Sequence, residues 1–460
     1  MTGQKRLFRK QSNCMSISRH VVKSTVVGAL GGLLFGFDTA VISGTTQALT
    51  AQFRLSPGML GFTVASALWG TVVGAITAGI PGQKYGRRDS LRVMALFYVV
   101  SALGCALAWN IESLVVFRFL CGLAIGGSSV LGPMYIAELS PPKWRGRLVG
   151  FFQVNIVVGI LLAYMSNYAI AAMQLGAAEW RWQLGVSGFP ALLFLIMLFF
   201  IPRSPRWLTT QSRLDEAYSV LVLTGVDDPQ RELDEIRDSL HLESRGDEDS
   251  LWSRKYKLPV FLALTVGAFS QLTGINAILY YLNDIFALAG ATKISGSLQA
   301  VAVGATNLVA TLIAMSVIDK FGRKKLLLGG TVGLAICLTV ISVLFLTHSH
   351  LHLLVWLLMI YIALFAVSHG AVVWVYISEV FPNRVRAKGQ SLGSSSHWVS
   401  NAIISLIFPI FAKSSGAVPF LFFAAMMVLD FFIVLFIYPE TAGVSLERMQ
   451  ERLESTPVTR

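Results

Sequence analysis

Long apolar runs and short polar loops alternate along almost the whole chain. Twelve of these runs are long enough to cross a bilayer as a helix, and a polar middle segment separates two groups of six. The runs, numbered here span 1 to span 12, cover residues 24–48, 60–80, 92–109, 113–136, 148–172, 183–201, 258–289, 297–318, 326–346, 352–378, 391–412 and 417–438. This pattern predicts an all-α membrane protein with twelve transmembrane helices.

Basic residues mark one set of loops. The loops that lead from even-numbered to odd-numbered spans carry clusters of lysine and arginine, such as 84–92 and 320–325. The opposite loops carry little more than Arg54, Arg181, Lys293 and Lys413. Because lysine and arginine collect on the cytoplasmic side of a membrane, both termini are predicted to be cytoplasmic.

Polarity divides the chain into five parts. We expect a cytoplasmic tail over 1–20, a six-helix bundle over 21–202, a cytoplasmic linker over 203–257, a second six-helix bundle over 258–438 and a cytoplasmic tail over 439–460. Apolar positions at helical spacing predict two or three short amphipathic helices in the linker, with a flexible linker as the alternative. A further short helix is predicted over 445–453.

The two groups of six spans share one design. Segment 135–145 recurs as 376–386, 241 residues later, and segment 84–88 recurs as 320–324, 236 residues later. Repeated halves in transporters place a solute site at their interface, near the middle of the bilayer. The repeat therefore predicts two pseudo-symmetric six-helix halves around a central cavity.

Composition narrows the class of protein. Of the 460 residues, 54% are apolar and 13% are charged, whereas soluble domains carry about 25% charged residues. The net charge of +12 would suit nucleic acid, but the basic residues lie in short clusters between apolar spans, so no nucleic-acid partner is expected. The sequence shows no phosphate loop, zinc-ligand cluster or nucleophile elbow, so no enzyme activity, cofactor or metal site is predicted.

Asp38 is the only charged residue in span 1. A carboxylate near the centre of a bilayer costs at least ~2.5 kcal/mol, so it is expected to face a polar interior and to have a function. Arg118, at the start of span 4, is its natural partner, because a nearby guanidinium holds a carboxylate ionised and its departure favours protonation. The pair is predicted to act as a proton switch. The alternative is a structural aspartate beside an arginine that reaches toward the interface.

Two tight basic loops, Gly86-Arg87-Arg88 and Gly322-Arg323-Lys324, each join two spans. Glycine permits the turn, and the arginines can cap helix C-termini or pair with Glu138 and Glu379. Acid and base recur together in both halves, which predicts a cytoplasmic latch between helices. The alternative is that the basic charge only keeps these loops on the cytoplasmic side of the membrane. The predicted latch residues are Gly86, Arg87, Arg88, Glu138, Arg145, Gly322, Arg323, Glu379 and Arg386.

Uncharged polar and aromatic side chains lie within several spans. Amides offer the donors and acceptors that neutral hydroxyls need, and tryptophan offers a flat apolar face for a sugar ring. In span 7, Gln271, Gly274 and Tyr281 are predicted to share one helical face. For each residue a helix–helix hydrogen bond is an equal alternative, but together they predict a polar, uncharged solute. The candidate solute residues are Gln153, Gln271, Asn276, Tyr280, Asn307, Gly370, Trp374, His397, Trp398 and Asn401.

Over nearly its full length the chain resembles the sugar porter family of the major facilitator superfamily. The segments that carry the resemblance are 36–38, 85–88, 118–122, 133–138 with 145–146, 204–208, 271–281, 319–324, 379–382 with Arg386, and 439–441. The chain is most similar to bacterial proton-linked pentose and hexose symporters. In those proteins the residue that matches Asp38 binds a proton beside the arginine that matches Arg118.

The resemblance implies the major facilitator fold and several site residues. Family facilitators usually lack the acid that Asp38 matches, so this residue favours symport. Asp319 falls in the C-terminal copy of the basic-loop motif and joins the latch residues. Phe35 falls on an aromatic position that lines the family's cavity. The family's sugar-binding positions are matched by Gln153, Gln271, Asn276, Tyr280, Gly370 and Trp374.

The chain departs from the family pattern in two places. Around the sugar site, Ser270 stands for the first of two paired glutamines, His397 for an amide and Ala371 for a proline. Near the first basic loop, Gln83 and Arg203 stand for acidic residues. The first group bears on which sugar is bound, and the second on the strength of the latch in the N-terminal half.

We therefore expect proton-coupled symport of a pentose or hexose into the cell by alternating access. The protein is expected in the cell (inner) membrane and is expected to work as a monomer. Its partners are then the sugar, the proton and the lipid bilayer. An uncoupled sugar facilitator of the same fold is the first alternative, and a non-transporting sugar sensor is the second.

Overall fold

The computed structural model describes residues 17–442, except Pro142, 246–249 and Asn383. Within these residues twelve helical segments are long and apolar enough to cross a membrane, which confirms the predicted number. They run over Arg19–Gly44, Pro57–Lys84, Arg87–Ala106, Ile111–Leu139, Arg145–Ala172, Gly176–Phe200, Arg254–Tyr280, Lys293–Ile318, Arg323–Thr347, Leu351–Glu379, Lys388–Ser414 and Val418–Phe436. The predicted helix over 445–453 and most of the predicted N-terminal tail lie outside the described residues.

Each half packs its helices in the same way. Span 1 packs on span 5 and span 3 on span 6, while in the second half span 7 packs on span 11 and span 9 on span 12. Spans 2 and 4 are neighbours, as are spans 8 and 10. The halves meet where span 2 packs on span 11 and span 5 on span 8. Because equivalent helices have equivalent neighbours, the sequence repeat is a repeat of structure, and the fold is the predicted all-α arrangement.

Gly86 and Gly322 make the two tight basic loops. Their φ angles are +89° and +83°, a backbone region in which glycine carries no steric penalty. A helix begins directly afterwards in each half, at Arg87 and at Arg323. The end of the bundle that carries these loops is called here the inner end, and the opposite end is the outer end.

Span 7 is broken near its centre. One helix covers Lys257–Leu272, a second covers Ile275–Tyr280, and a third, Leu282–Leu288, continues beyond the span. Gly274 has a φ of +87°, and a Cβ atom there would lie 2.3 Å from the ring of Phe423. The prediction that Gln271, Gly274 and Tyr281 share one helical face is therefore wrong, because that face requires an unbroken helix.

Span 10 contains a wide turn. An α-helix over Leu354–Phe365 passes into a π-helical turn over Ala366–Gly370, and an α-helix resumes over Ala371–Glu379. π turns are rare, usually occur singly within α-helices, and are frequent at functional sites. The apolar run in the sequence predicts the span but not this irregularity.

Three helices form in the linker, over Pro205–Thr210, Leu214–Thr224 and Pro229–Arg245. The first begins with a hydrogen bond from the backbone N–H of Trp207 to Ser204 Oγ and with proline at its first position, a favoured start for a helix. Their apolar faces share a small core that contains Trp207, Leu208, Ala217, Leu221 and Leu233. The amphipathic pattern predicted short helices in this part of the linker, and three are present up to Arg245.

Candidate functional site

A cavity lies between the two halves, near the middle of the spans. Spans 1, 2 and 4 supply one wall, and spans 7 and 11 supply the other. Two charged side chains, two threonines and three aromatic side chains face it together with aliphatic residues. The lining residues are Phe35, Asp38, Thr39, Val64, Ala67, Leu68, Thr71, Arg118, Ile125, Tyr280 and Trp398.

The structure pairs Asp38 with Arg118 in this cavity. Arg118 Nη1 lies 2.5 Å from Asp38 Oδ1, and the two side chains are 4% and 13% exposed. The Cys121 thiol also donates to Asp38 Oδ1, at 3.4 Å. Arg118 Nε is buried and has no hydrogen-bond partner among the described residues, so the carboxylate is this guanidinium's main anchor.

Because the pair is buried, its stability depends strongly on both residues remaining charged and in contact. Ionised groups removed from water are expensive unless they are paired, and taking away one partner leaves the other charge uncompensated. Loss of the charge on either residue would therefore leave the other charge buried and unpaired. Because Asp38 and Arg118 both border the cavity, a change in this contact also changes the cavity wall.

His397 is the centre of a polar cluster beside the cavity. Ser270 Oγ lies 2.9 Å from His397 Nδ1, and Gln271 Nε2 lies 3.0 Å from His397 Nε2. Asn276 Nδ2 donates to Gln271 Oε1 at 2.8 Å, across the break in span 7. Ser270 and Gln271 thus contact one imidazole, and Asn276 contacts Gln271 from beyond the break, so donors and acceptors lie close together.

Aromatic rings extend this cluster toward the first half. The Trp374 ring centroid lies 4.8 Å from that of His397, and His397 lies 5.2 Å from Trp398. Phe35 of span 1 contacts Trp398 of span 11, with ring centroids 5.3 Å apart. This is a contact between the halves, and it forms one wall of the cavity.

Two more candidates meet in a second, smaller polar group. Asn401 Nδ2 donates to the Tyr280 hydroxyl oxygen at 3.2 Å, and Ser405 Oγ donates to Asn401 Oδ1 at 3.2 Å. Tyr280 borders the cavity. The structure therefore brings Phe35, Gln271, Asn276, Tyr280, Trp374, His397, Trp398 and Asn401 into one continuous region.

Three candidates stand apart from that region. Gln153 is half-buried in span 5, Asn307 is buried in span 8, and neither residue is among those that line the cavity. Gly370 ends the π turn of span 10, one helical turn before Trp374. Because glycine has no side chain beyond hydrogen, Gly370 contributes to this region through the path of its backbone.

The predicted acid and base residues meet at the inner end of each half. Arg87 Nη2 lies 2.9 Å from Glu138 Oε1, and Arg323 Nη2 lies 2.9 Å from Glu379 Oε1. The second pair is bidentate, because Arg323 Nε also donates to Glu379 Oε2, at 3.2 Å. Each of these pairs joins helices of one half.

Two residues that the sequence analysis did not single out complete the C-terminal pair. Glu440 accepts hydrogen bonds from the backbone N–H groups of Arg323 and Lys324, at 2.9 and 3.2 Å. Thr441 Oγ1 donates to Glu379 Oε2 at 2.6 Å. Their place directly after span 12, within a motif of the resemblance, was the available signal.

The remaining latch candidates take other positions. Arg88 contacts Asp89 and donates to the Ile201 carbonyl oxygen at 3.1 Å. Arg145 is exposed, and Arg386 Nε donates to the Phe381 carbonyl oxygen at 3.2 Å. The side chain of Asp319 lies outside what the structure describes.

Arg203, which stands where the family has an acid, still takes part in an ion-pair network. Its guanidinium lies 3.0 Å from Asp89 Oδ2, and Asp89 also pairs with Arg92, at 2.8 Å. The basic side chain therefore ties the end of span 6 to the beginning of span 3. The N-terminal half thus has its own charged junction at this point.

The halves touch at the outer end. Lys293 Nζ lies 2.7 Å from Glu179 Oε2, which links span 8 to span 6. Tyr164 donates its hydroxyl proton to the Leu279 carbonyl oxygen at 2.9 Å. A Cβ atom on Gly61 would lie 2.1 Å from the carbonyl oxygen of Leu406, so spans 2 and 11 touch backbone to backbone. These contacts close the outer end in this conformation.

The sequence analysis missed a second acid at membrane depth, Asp430. Its carboxylate accepts a hydrogen bond from His369 at 2.8 Å, and both side chains are almost fully buried. Asp430 is the only charged residue in the apolar run 417–438, so the argument that identified Asp38 was equally available for span 12.

Comparisons with known proteins agree with this arrangement. A family model described as "Sugar (and other) transporter" matches residues 24–453. The D-xylose-proton symporter of Escherichia coli K12 is 34% identical over 472 residues, covering 94% of this chain and 96% of the relative. The galactose-proton symporter of Escherichia coli K12 is 36% identical over 436 residues, covering 93% of each.

A solved structure has the same fold. The xylose transporter of E. coli in an inward-open conformation matches with a TM-score of 0.84 at 34% identity, covering 94% of this chain and 99% of that one. The likeness therefore extends over all twelve spans and is not confined to one half.

Proposed function

The chain belongs to the sugar transporter family and transports sugar together with protons, and we propose that Asp38 is the group that binds the proton. The observation that carries this proposal is the position of Asp38. Its carboxylate borders the cavity between the halves and is held by Arg118 at 2.5 Å. An acid in that position can exchange its proton with the cavity and can also respond to a helix movement.

The coupling follows from the electrostatics of the pair. While Asp38 is ionised, its attraction to Arg118 ties span 1 to span 4. Protonation removes the negative charge and frees span 1 to move relative to its neighbours. Sugar and proton together then favour the conformational change that neither drives alone, which is the condition for symport.

Alternating access supplies the transport step. In the present conformation the outer end is closed by contacts such as Glu179 with Lys293 and Gly61 with Leu406. For sugar to enter, spans 2 and 11 have to separate there. The Arg87–Glu138 and Arg323–Glu379 pairs brace the inner ends of the two halves separately, so each half moves as a unit when the inner end opens or closes.

The sugar site that we propose is the polar and aromatic region around His397. Gln271, Asn276 and His397 supply hydrogen-bond donors and acceptors for sugar hydroxyls, while Trp374 and Trp398 supply apolar ring faces. These residues are already hydrogen-bonded to one another, so they are held in place before sugar arrives. Asn307 and Gln153 are proposed as outlying members, which reach the sugar when the halves move.

We also propose the membrane in which the protein lies, its orientation there and its functional unit. The protein is a multi-pass membrane transporter. The proposed location is the inner membrane, with the inner end and both termini in the cytoplasm, and the basic loops at the inner end support this orientation. The bundles over 21–202 and 258–438 are the moving units, and 203–257 connects them. The proposed functional unit is the monomer, because residues of a single chain line the cavity that holds the proposed proton site.

Uptake of radiolabelled sugars by energised cells tests the proposal with Asp38→Asn. This variant is expected to lose accumulation against a gradient but to keep sugar exchange across the membrane, because only the charge is removed. Glu112→Gln, which alters an exposed acid at the start of span 4, is the control and should accumulate sugar normally. If Asp38→Asn still concentrates sugar, the proton site lies elsewhere.

A further inference from the structure

A buried ion pair lies in the C-terminal half, away from the cavity. His369 Nε2 lies 2.8 Å from Asp430 Oδ2, and the two side chains are 1% and 2% exposed. Span 10 supplies the histidine and span 12 the aspartate, so the contact crosses between two helices. Ionisable residues within membrane spans are rare and usually have a function, and the transport steps described above do not use this pair.

Both nitrogens of the imidazole have polar neighbours. Nε2 lies against the Asp430 carboxylate, and Nδ1 lies 3.4 Å from Ser368 Oγ. That hydroxyl donates its proton to the Leu364 carbonyl oxygen at 2.6 Å. The imidazole therefore has one contact to span 12 and one within span 10.

His369 belongs to the π turn of span 10. The turn covers Ala366–Gly370, and the ring of Phe365 stacks on His369 with an interplanar angle of 8°. On the other side Gly330 of span 9 admits the neighbouring Ser368, because a Cβ atom there would lie 2.2 Å from Ser368 Cβ. The turn is thus held from two helices, by close packing against span 9 and by an ion pair to span 12.

The π turn determines where the rest of span 10 points. A π turn holds one more residue than an α turn. Because successive residues of an α-helix are about 100° apart around its axis, conversion of this turn to α geometry would rotate the following helix by about that angle. Trp374 lies in the following helix, with its ring 4.8 Å from His397. Loss of the turn would therefore aim Trp374 away from the cluster around His397.

We propose that the His369–Asp430 pair is a tether that fixes the π turn of span 10 and so positions Trp374 for sugar binding. The two residues are positioning residues, because neither borders the cavity. The tether depends on the proposed sugar site, since its effect is transmitted through Trp374. It does not depend on the assignment of the proton to Asp38.

The central test replaces both partners with leucine. Hydrophobic replacement of a buried pair is often neutral or stabilising, whereas removal of one partner leaves a stranded charge. His369→Leu with Asp430→Leu is therefore expected to reach the membrane, to bind sugar with a KM raised about tenfold, and to keep its maximal uptake rate within about threefold. The exchanged pair, His369→Asp with Asp430→His, restores the ion pair and is expected to have a KM within about threefold of the wild type.

A third variant is included in case the leucine pair is poorly expressed. His369→Phe with Asp430→Leu keeps the ring that stacks on Phe365 and leaves no stranded carboxylate, and its KM is expected to rise as in the leucine pair. A KM within threefold of the wild type in either this phenylalanine–leucine pair or the leucine pair overturns the tether. An exchanged pair that is as impaired as the leucine pair overturns it as well.

Proton movement, measured in the same samples, separates the two proposals. Because the tether lies outside the proton site, the number of protons taken up per sugar is expected to be unchanged in the leucine pair. If the leucine pair has an unchanged KM and normal proton coupling, the tether is wrong and the proposed proton site is not affected. If Asp38→Asn retains normal coupling, the proposed proton site fails, whatever the tether variants show.

Discussion

Arg118 and Asp38, eighty residues apart in the sequence, meet at 2.5 Å on the wall of the cavity between the two halves. The acid comes from span 1 and the base from span 4, so the pair is an attraction between two helices. A change in its charge therefore alters how those helices hold each other. With Asp38 as the proposed proton site, proton binding would loosen the contact between spans 1 and 4.

Glu179 is predicted to hold the outer end closed. It is 3% exposed and pairs with Lys293 across the halves. Glu179→Gln should raise the population that is open at the outer end about fivefold, the effect of about 1 kcal/mol. Pulsed EPR distances between spin labels on Ala51 and Ser295 report this opening.

Two further variants test whether the effect belongs to the pair. Lys293→Gln should match Glu179→Gln, and combining the two changes should add little, because one interaction is lost in each case. Lys413→Gln, which removes an exposed outer-end charge, is the control. If the effects of Glu179→Gln and Lys293→Gln were additive, the contact between these two residues would not be what holds the outer end closed.

Asp284 is predicted to make closure of the outer end depend on pH. Burial raises the pKa of this carboxyl to about 6, although hydrogen bonds from Thr46 and Gln47 act in the opposite direction. These partners belong to the other half, so opening should expose the group to water and return its pKa toward 3.8. The closed form then binds the proton more tightly, and its advantage is lost as pH rises from about 4 to 6.

The same EPR labels check this pH dependence. The closed population should fall between pH 4 and 6 and change little above that range, while Asp284→Asn should show no such fall. In the wild type the ratio of closed to open protein can change by at most roughly a hundredfold, because the pKa of Asp284 differs by about two units between the two forms. A closed population that grows with pH across this interval would rule out this role of Asp284.

Gly274 is predicted to be needed for the break in span 7. In Gly274→Ala the new methyl group meets both a φ of +87° and the Phe423 ring at 2.3 Å. Gly290 has a similar φ of +85° but nothing within 4 Å, so Gly290→Ala isolates the cost of the backbone, about 1–2 kcal/mol. Gly274→Ala should lower the Tm in detergent further than Gly290→Ala, and equal Tm values would refute the role of the ring contact.

Features that are local in sequence were predictable. The twelve spans follow from apolar length, and the paired halves follow from the repeat of basic loops and acidic partners. The family and the transport of sugar with protons, both expected from the sequence, are confirmed by the comparisons. The encounter of Arg118 with Asp38 was predictable because a charge at membrane depth needs a partner, and span 4 offered one.

Features that depend on contacts between distant spans were not predictable. Gly274, at the break in span 7, packs against the ring of Phe423, and the π turn of span 10 packs against spans 9 and 12. No local pattern shows these contacts. Asp430 was visible as an isolated acid, but its partner His369 lies 61 residues away. The outer-end contact of Glu179 with Lys293 likewise exists only once the halves are assembled.

The most direct test of the central claim is the movement of protons when sugar is added to de-energised cells in a weakly buffered medium. If Asp38 binds the coupled proton, wild-type cells will make the medium more alkaline as sugar enters, and Asp38→Asn cells will take up sugar with no change of pH. Alkalinisation of equal size in the variant would contradict the assignment of the proton to Asp38. Its absence in the wild type would show an uncoupled facilitator.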